Sequence, residues 1–83
     1  MQELKFLEEI FGLDKVYLTS KGTLVLVLTK NGKIASREIE DIHRYLENID
    51  RVEPPLSSEL MLNLLYEKIL KAKEEMEKEL SNY

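Results

Sequence analysis

The chain has 83 residues with 12 basic and 16 acidic side chains, a net charge of -4 at neutral pH, no cysteine and one histidine. A chain this short buries only about 60% of its unfolded surface, which leaves room for one domain with a thin margin of core. Disulfides are excluded, a structural zinc site lacks the several Cys and His ligands it needs, and self-association is the remaining source of extra stability.

The amino terminus, Met1 to Gly12, carries Glu3, Glu8 and Glu9 among its apolar residues. It therefore lacks the basic flank and uninterrupted apolar run of a secretory signal, and no stretch of the chain is long enough to span a bilayer. A reducing cytoplasm suits the absence of thiols. Lys and Glu dominate the charged residues, a balance met in thermophile proteins, where ion-pair networks become less costly with heat. The charge is unevenly spread: residues 1–14 sum to -3, residues 15–37 to +5 and residues 38–83 to -6. Lys15, Lys21, Lys30, Lys33 and Arg37 stand in the middle segment without one Asp or Glu, so the pattern allows one basic surface on an acidic protein.

Leu4, Leu7, Ile10 and Phe11 recur at helical spacing, and Gly12 follows where a left-handed helix stop belongs, with Leu13 placed to fold back onto Leu7. A short amphipathic helix is expected there. Lys15 to Ser20 alternates Val16 and Leu18 with Tyr17 and Thr19, and Thr23 to Lys30 contains the run Leu24-Val25-Leu26-Val27-Leu28; both read as strands. Lys21-Gly22 separates these two, and Asn31-Gly32, a strong hairpin signal, separates the second from a third strand at Lys33-Ile34-Ala35. The expectation is a three-stranded antiparallel meander.

Ser36 reads as the N-cap of a second helix, in which Ile39, Ile42, Leu46 and Ile49 keep 3-4-3 spacing and Glu40–Arg44 and Glu47–Arg51 form supporting pairs. Pro54-Pro55 predicts an extended link, after which Ser57 caps a long helix over 57–80. At 1.5 Å per residue that helix measures roughly 35 Å, so its last turns are expected to extend beyond the globular body. Leu62, Leu65, Ile69, Ala72, Met76 and Leu80 make a near-heptad stripe along it, flanked distally by Glu and Lys, as in a helix that pairs with its own copy. The predicted fold is α+β: N-terminal helix, three-stranded β-meander, helix, long C-terminal helix, forming one domain over 1–83.

If both hairpin loops have two residues, the period of two assigns each strand side chain to a face. One face then carries Val16, Leu18, Val25, Val27 and Ile34, with Thr29 and Ser36 at its margin, and is expected beneath the helices as core. The other carries Tyr17, Leu24, Leu26, Leu28 and Ala35, ringed by Lys15, Lys30, Lys33 and Arg37. Its centre is too apolar to stay wet, so the long helix, a second subunit or a ligand must cover it. In this register Lys30 and Lys33 stand directly opposed, a mildly unfavourable pair that an anion or acidic side chain would relieve.

No catalytic, cofactor-binding or metal-binding constellation emerges. His43 and Glu47 supply half of a metal or acid–base site with nothing for the other half. Glu74, Glu75, Glu77 and Glu79 alternate with Lys71, Lys73 and Lys78 as a solvated helical face does, and calcium needs its oxygen ligands on a tight loop. The serines lack a Gly-x-Ser-x-Gly elbow. The expected function is therefore a non-enzymatic protein-interaction or assembly module. A homodimer is expected to form through Tyr17, Leu24, Leu26 and Leu28 on the sheet, through Leu62, Leu65, Ile69, Met76 and Leu80 on the helix, or through both. The alternative is a small nucleic-acid-binding protein using Lys15, Lys30, Lys33 and Arg37, with Tyr17 stacking on bases. Against it stand a pI near 5.0 and a single aromatic on that face.

Overall fold

The computed structural model describes residues 2–42, Tyr45 and 55–81, with side chains in the last stretch from Asn63 onward. In chain order the elements are β1 (Gln2–Glu3), α1 (Lys5–Phe11), β2 (Lys15–Leu18), β3 (Leu24–Lys30), β4 (Lys33–Ile39) and α2 (Pro55–Ser81). The four strands form one antiparallel sheet in sequential order, β1-β2-β3-β4. This is an α+β architecture with a fourth strand beyond the predicted meander: β1 is too short to show any period, and it is fixed by pairing Gln2 with Leu18 and Glu3 with Tyr17.

The first helix ends as its sequence directs. Gly12 is left-handed at φ 67°, and the Leu13 N–H reaches back 2.9 Å to the Glu8 carbonyl. This is a glycine-capped stop that satisfies a terminal carbonyl and turns Leu13 inward. Leu13 and Leu7 are both buried.

The β2–β3 connection departs from expectation, and the consequence reaches the whole sheet. Thr19 donates its N–H to the Thr23 carbonyl (2.9 Å), leaving Ser20, Lys21 and Gly22 as a three-residue loop. The Gly22 N–H closes a turn onto the Thr19 carbonyl at 3.0 Å, and Gly22 itself is left-handed at φ 83°. A three-residue hairpin ends in such a residue because its twist matches the flanking strands. The extra residue moves β2 by one place: Val16 pairs with Leu26 and Leu18 with Leu24. Since adjacent residues point to opposite faces, every β2 side chain changes side relative to the two-residue loop. Val16 and Leu18 therefore join Leu24, Leu26, Leu28 and Ala35, while Tyr17 joins Val25, Val27 and Ile34.

Both helices lie on the leucine face. Leu65, Ile69, Ala72, Met76 and Leu80 of α2 are buried in one cluster with Leu7, Leu13, Val16, Leu24, Leu26, Leu28, Ala35 and Ile42. The face predicted as core, with Val25, Val27 and Ile34, is thus the outer one, and none of its apolar side chains packs against the cluster. Met76 and Leu80 are buried in this cluster, so the C-terminal turns of α2 pack on the sheet. The helix begins at Pro55, two residues before the predicted start at Ser57 and inside the predicted extended link, since proline's fixed φ and missing N–H suit a first helical turn.

The predicted second helix is overturned at its start. Ser36 to Ile39 continue β4, paired residue for residue with β3 from Lys30↔Lys33 to Leu24↔Ile39. The reason is backbone satisfaction: a strand that stopped at Ala35 would leave the main-chain groups of Leu24 and Leu26, both buried, without partners on that side. The rest of that prediction, including Leu46 and Ile49, lies outside the described residues. After β4, Asp41 adopts φ 58° and the chain turns so that the Ile42 N–H donates to the Gly22 carbonyl at 2.9 Å, with Ile42 buried against the sheet.

Candidate interaction surface

The residues predicted as an interface divide between core and surface. Leu24, Leu26 and Leu28 from the sheet meet Leu65, Ile69, Met76 and Leu80 from α2, so the two apolar stripes bury each other within one chain. Leu62 lies outside the described side chains. Tyr17 is half-buried on the outer face of the sheet.

The four cations of the alternative reading are not brought together. Lys15 shares the outer face with Tyr17, where its Nζ lies 3.1 Å from Glu3 Oε1. That hydrogen-bonded pair holds the Glu3 carboxyl below its ordinary value and raises the Lys15 ammonium above its own. Lys30, Lys33 and Arg37 project from the opposite, helix-bearing face. Arg37 reaches Glu79 at 3.1 Å and Glu75 at 3.7 Å on α2, and its Nη1 donates to the Ser36 carbonyl at 2.8 Å. Lys30 and Lys33 do stand directly opposed, but Lys30 Nζ also lies 3.5 Å from the Ser81 hydroxyl at the end of α2. A helix C-terminus carries partial negative charge, which eases the repulsion from inside the chain. His43 and Glu47 lie outside the described residues. Among the described residues no three His, Asp or Glu side chains converge as metal ligands, and no helix is long and apolar enough to cross a membrane.

The two edges of the sheet are treated differently. Along β2, β1 covers Tyr17 and Leu18. One residue further, the Val16 carbonyl accepts the Leu4 N–H at 2.8 Å and the Val16 N–H donates to the Glu8 carboxylate at 3.0 Å. That edge is closed. Strand β4 has seven residues and, among the described residues, no strand beyond it. Its free groups can be named. A two-residue loop makes its flanking pair, Lys30–Lys33, exchange both hydrogen bonds with each other, and the pattern then alternates. The inward-bonded residues are Lys33, Ala35, Arg37 and Ile39; the N–H and C=O groups of Ile34, Ser36 and Glu38 point away from the sheet. Of these six, the Ser36 carbonyl holds the Arg37 guanidinium.

The same three residues turn their side chains to the outer face. Ile34 is 71% exposed, the most exposed large apolar residue among those described. Beside it Val27, Val25 and Tyr17 form a continuous half-buried strip, because Val25 pairs with Tyr17 and Val27 lies diagonally from Ile34. The other exposed large apolar side chains, Phe6, Ile10, Leu64 and Leu70, are on the helices, where Ile10 and Leu70 border a groove floored by the edge-to-face pair Phe11–Tyr66. That patch offers apolar area alone. The β4 side adds a row of main-chain donors and acceptors turned away from the sheet, and it is the surface sequence reasoning missed, because the two-residue loop assumption placed Ile34 inside. No protein-family model, curated protein or solved structure matches the chain.

Proposed function

We propose that this chain is a non-enzymatic assembly module that forms a homodimer through the open side of its sheet, along β4 and the adjoining outer strip. The observation that carries the reading is the coincidence, at one place, of a seven-residue edge strand with no strand beyond it among the described residues and the exposed Ile34. Long edge strands are templates for pairing, and monomeric proteins blunt them with proline, bulges or charge. Here β4 has no proline, and its pairing with β3 runs through seven consecutive residues without a bulge. Of its charged side chains Lys33 and Arg37 lie on the helix-bearing face, Arg37 held by Glu75 and Glu79, which leaves Glu38 as the one charge on the outer face. The outer strip of Tyr17, Val25, Val27 and Ile34 gives a partner apolar surface to bury at the same contact. Pairing with a second copy also supplies what a small chain lacks, further buried area without disulfide or metal.

Light scattering across a range from low to high micromolar concentration tests this. The expected mass is that of two chains, falling to one in Ile34→Glu with the circular dichroism spectrum and melting temperature of the folded monomer retained. A wild-type chain that stays monomeric at the highest concentration overturns the reading.

A further inference from the structure

We infer that the second copy adds to β4 as an antiparallel strand in one register, with Ser36 of one chain opposite Ser36 of the other. This rests on the homodimer proposed above and specifies its contact. Only Ile34, Ser36 and Glu38 direct main-chain groups outward, so a partner strand that satisfies them shifts in steps of two residues, which leaves a short set of symmetric registers. Length and charge separate them. Setting Ile34 opposite its own copy pairs Ser36 with the partner's Gly32, in the turn, and leaves only residues 33–35 of each strand in contact. Setting Ile34 opposite the partner's Ser36 puts Lys33 against the partner's Arg37. Setting Ser36 opposite the partner's Glu38 puts Arg37 against its own copy, and centring on Glu38 opposes two carboxylates. Like charges directly opposed across strands are destabilising.

The register centred on Ser36 avoids all three. Ile34 then lies opposite the partner's Glu38, Arg37 opposite the partner's Ala35, and Lys33 opposite the partner's Ile39, so the full length of β4 is used. The smallest side chains of the strand, Ala35 and Ser36, fall at the centre of the contact. Arg37 does not obstruct it: its Nη1 occupies the Ser36 carbonyl at 2.8 Å, but a carbonyl oxygen has two lone pairs and keeps one for the partner's Ser36 N–H. The outer strips of the two copies become one continuous apolar surface across the new eight-stranded sheet.

The absence of cysteine makes the register directly measurable. In an exchanging antiparallel pair the Cα atoms stand about 5.5 Å apart, within the range a disulfide spans. Ser36→Cys should therefore cross-link to its copy under mild oxidation. Glu38→Cys, on the same edge and the same face, is the control, because in this register its copy lies four residues along the strand, roughly 13 Å away at 3.3 Å per residue. The expected result is a dimer by light scattering in which Ser36→Cys becomes covalent at least an order of magnitude faster than Glu38→Cys. Equal rates at the two positions overturn the register. A dimer in which neither cross-links, while Val27→Cys on the middle of the outer face does, overturns edge pairing and leaves the homodimer standing. A monomer by light scattering removes both proposals together.

Discussion

Thr19 and Thr23 hold each other twice, through the Thr19 N–H to the Thr23 carbonyl at 2.9 Å and the Thr23 N–H to the Thr19 hydroxyl at 3.1 Å. Between them the chain needs a residue that tolerates φ 83°, and Gly22 supplies it. Its carbonyl also accepts the Ile42 N–H, which ties the return from β4 to this turn. Alanine at position 22 forces an L side chain into the left-handed region, at a cost of about 1–2 kcal/mol. For a chain of this size each kcal/mol lowers the melting temperature by roughly 4–8 °C. Gly22→Ala should accordingly melt several degrees lower in a calorimetric scan. In the wild type, strong Hα–Hα cross-peaks are expected for Val16–Leu26 and Leu18–Leu24, which are close non-hydrogen-bonded pairs. Cross-peaks for Tyr17–Leu26 and Thr19–Leu24 in their place, the close pairs of the other register, would return the strand to the two-residue loop.

That loop marks where the sequence stopped being legible. The glycine-capped end of α1, the Asn31-Gly32 hairpin, the Lys30–Lys33 opposition and the stripe on α2 were all readable, because each depends on residues near one another in the chain. Lys21-Gly22 carries the same glycine signal for a two- and a three-residue loop, and the choice reverses one strand against the other two. Ser36 to Ile39 was ambiguous for a different reason. Its residues suit a helix start locally, and what overrules them is the demand of β3 for a partner along its whole length. The surface suffered most from both errors, since Ile34 changed from core to exposed and Leu24, Leu26 and Leu28 from candidate interface to core.

Glu8 is predicted to matter through a single contact. Its carboxylate accepts the Val16 N–H at 3.0 Å at the point where β1 no longer covers β2, and Val16 is fully buried. Glu8→Ala leaves that donor unsatisfied, a loss of about 1–3 kcal/mol. Glu8→Gln keeps a carbonyl oxygen in place and should lose much less. Urea titration of the pair against wild type checks this. Equal destabilisation by both variants would assign the effect to charge and not to the hydrogen bond.

The packing of α2 makes opposite predictions for neighbouring turns. Met76 is inaccessible and lies in the core cluster, whereas Leu70 is 48% exposed. Met76→Ala should cost about 2–5 kcal/mol by removing buried surface and leaving a cavity. Leu70→Ala, away from such features, should stay within about 0.5 kcal/mol. Chemical denaturation measures both. The reverse ranking would mean that the helix presents its other face to the sheet.

The Glu3–Lys15 pair gives the chain a defined pH response on its outer face. Lys15, hydrogen-bonded at 3.1 Å, lowers the Glu3 carboxyl below its ordinary value, so the contribution of Glu3 to stability is present above its unfolded pKa and is lost as the pH falls through the lowered one. Lys15 is raised, chiefly by the same bond, so its contribution is present below its unfolded pKa and is lost as the pH rises through the raised one. The pair therefore supports the pairing of β1 with β2 across the neutral range and releases it at both extremes. Both side chains are solvent-exposed and screened by salt, so the effect on global stability should be small; the local titration is where it shows. Carboxyl resonances followed by NMR should place Glu3 below the ordinary glutamate value, and Lys15→Met should move it back up towards that value. A Glu3 midpoint unmoved by Lys15→Met would mean that some other group holds the carboxylate.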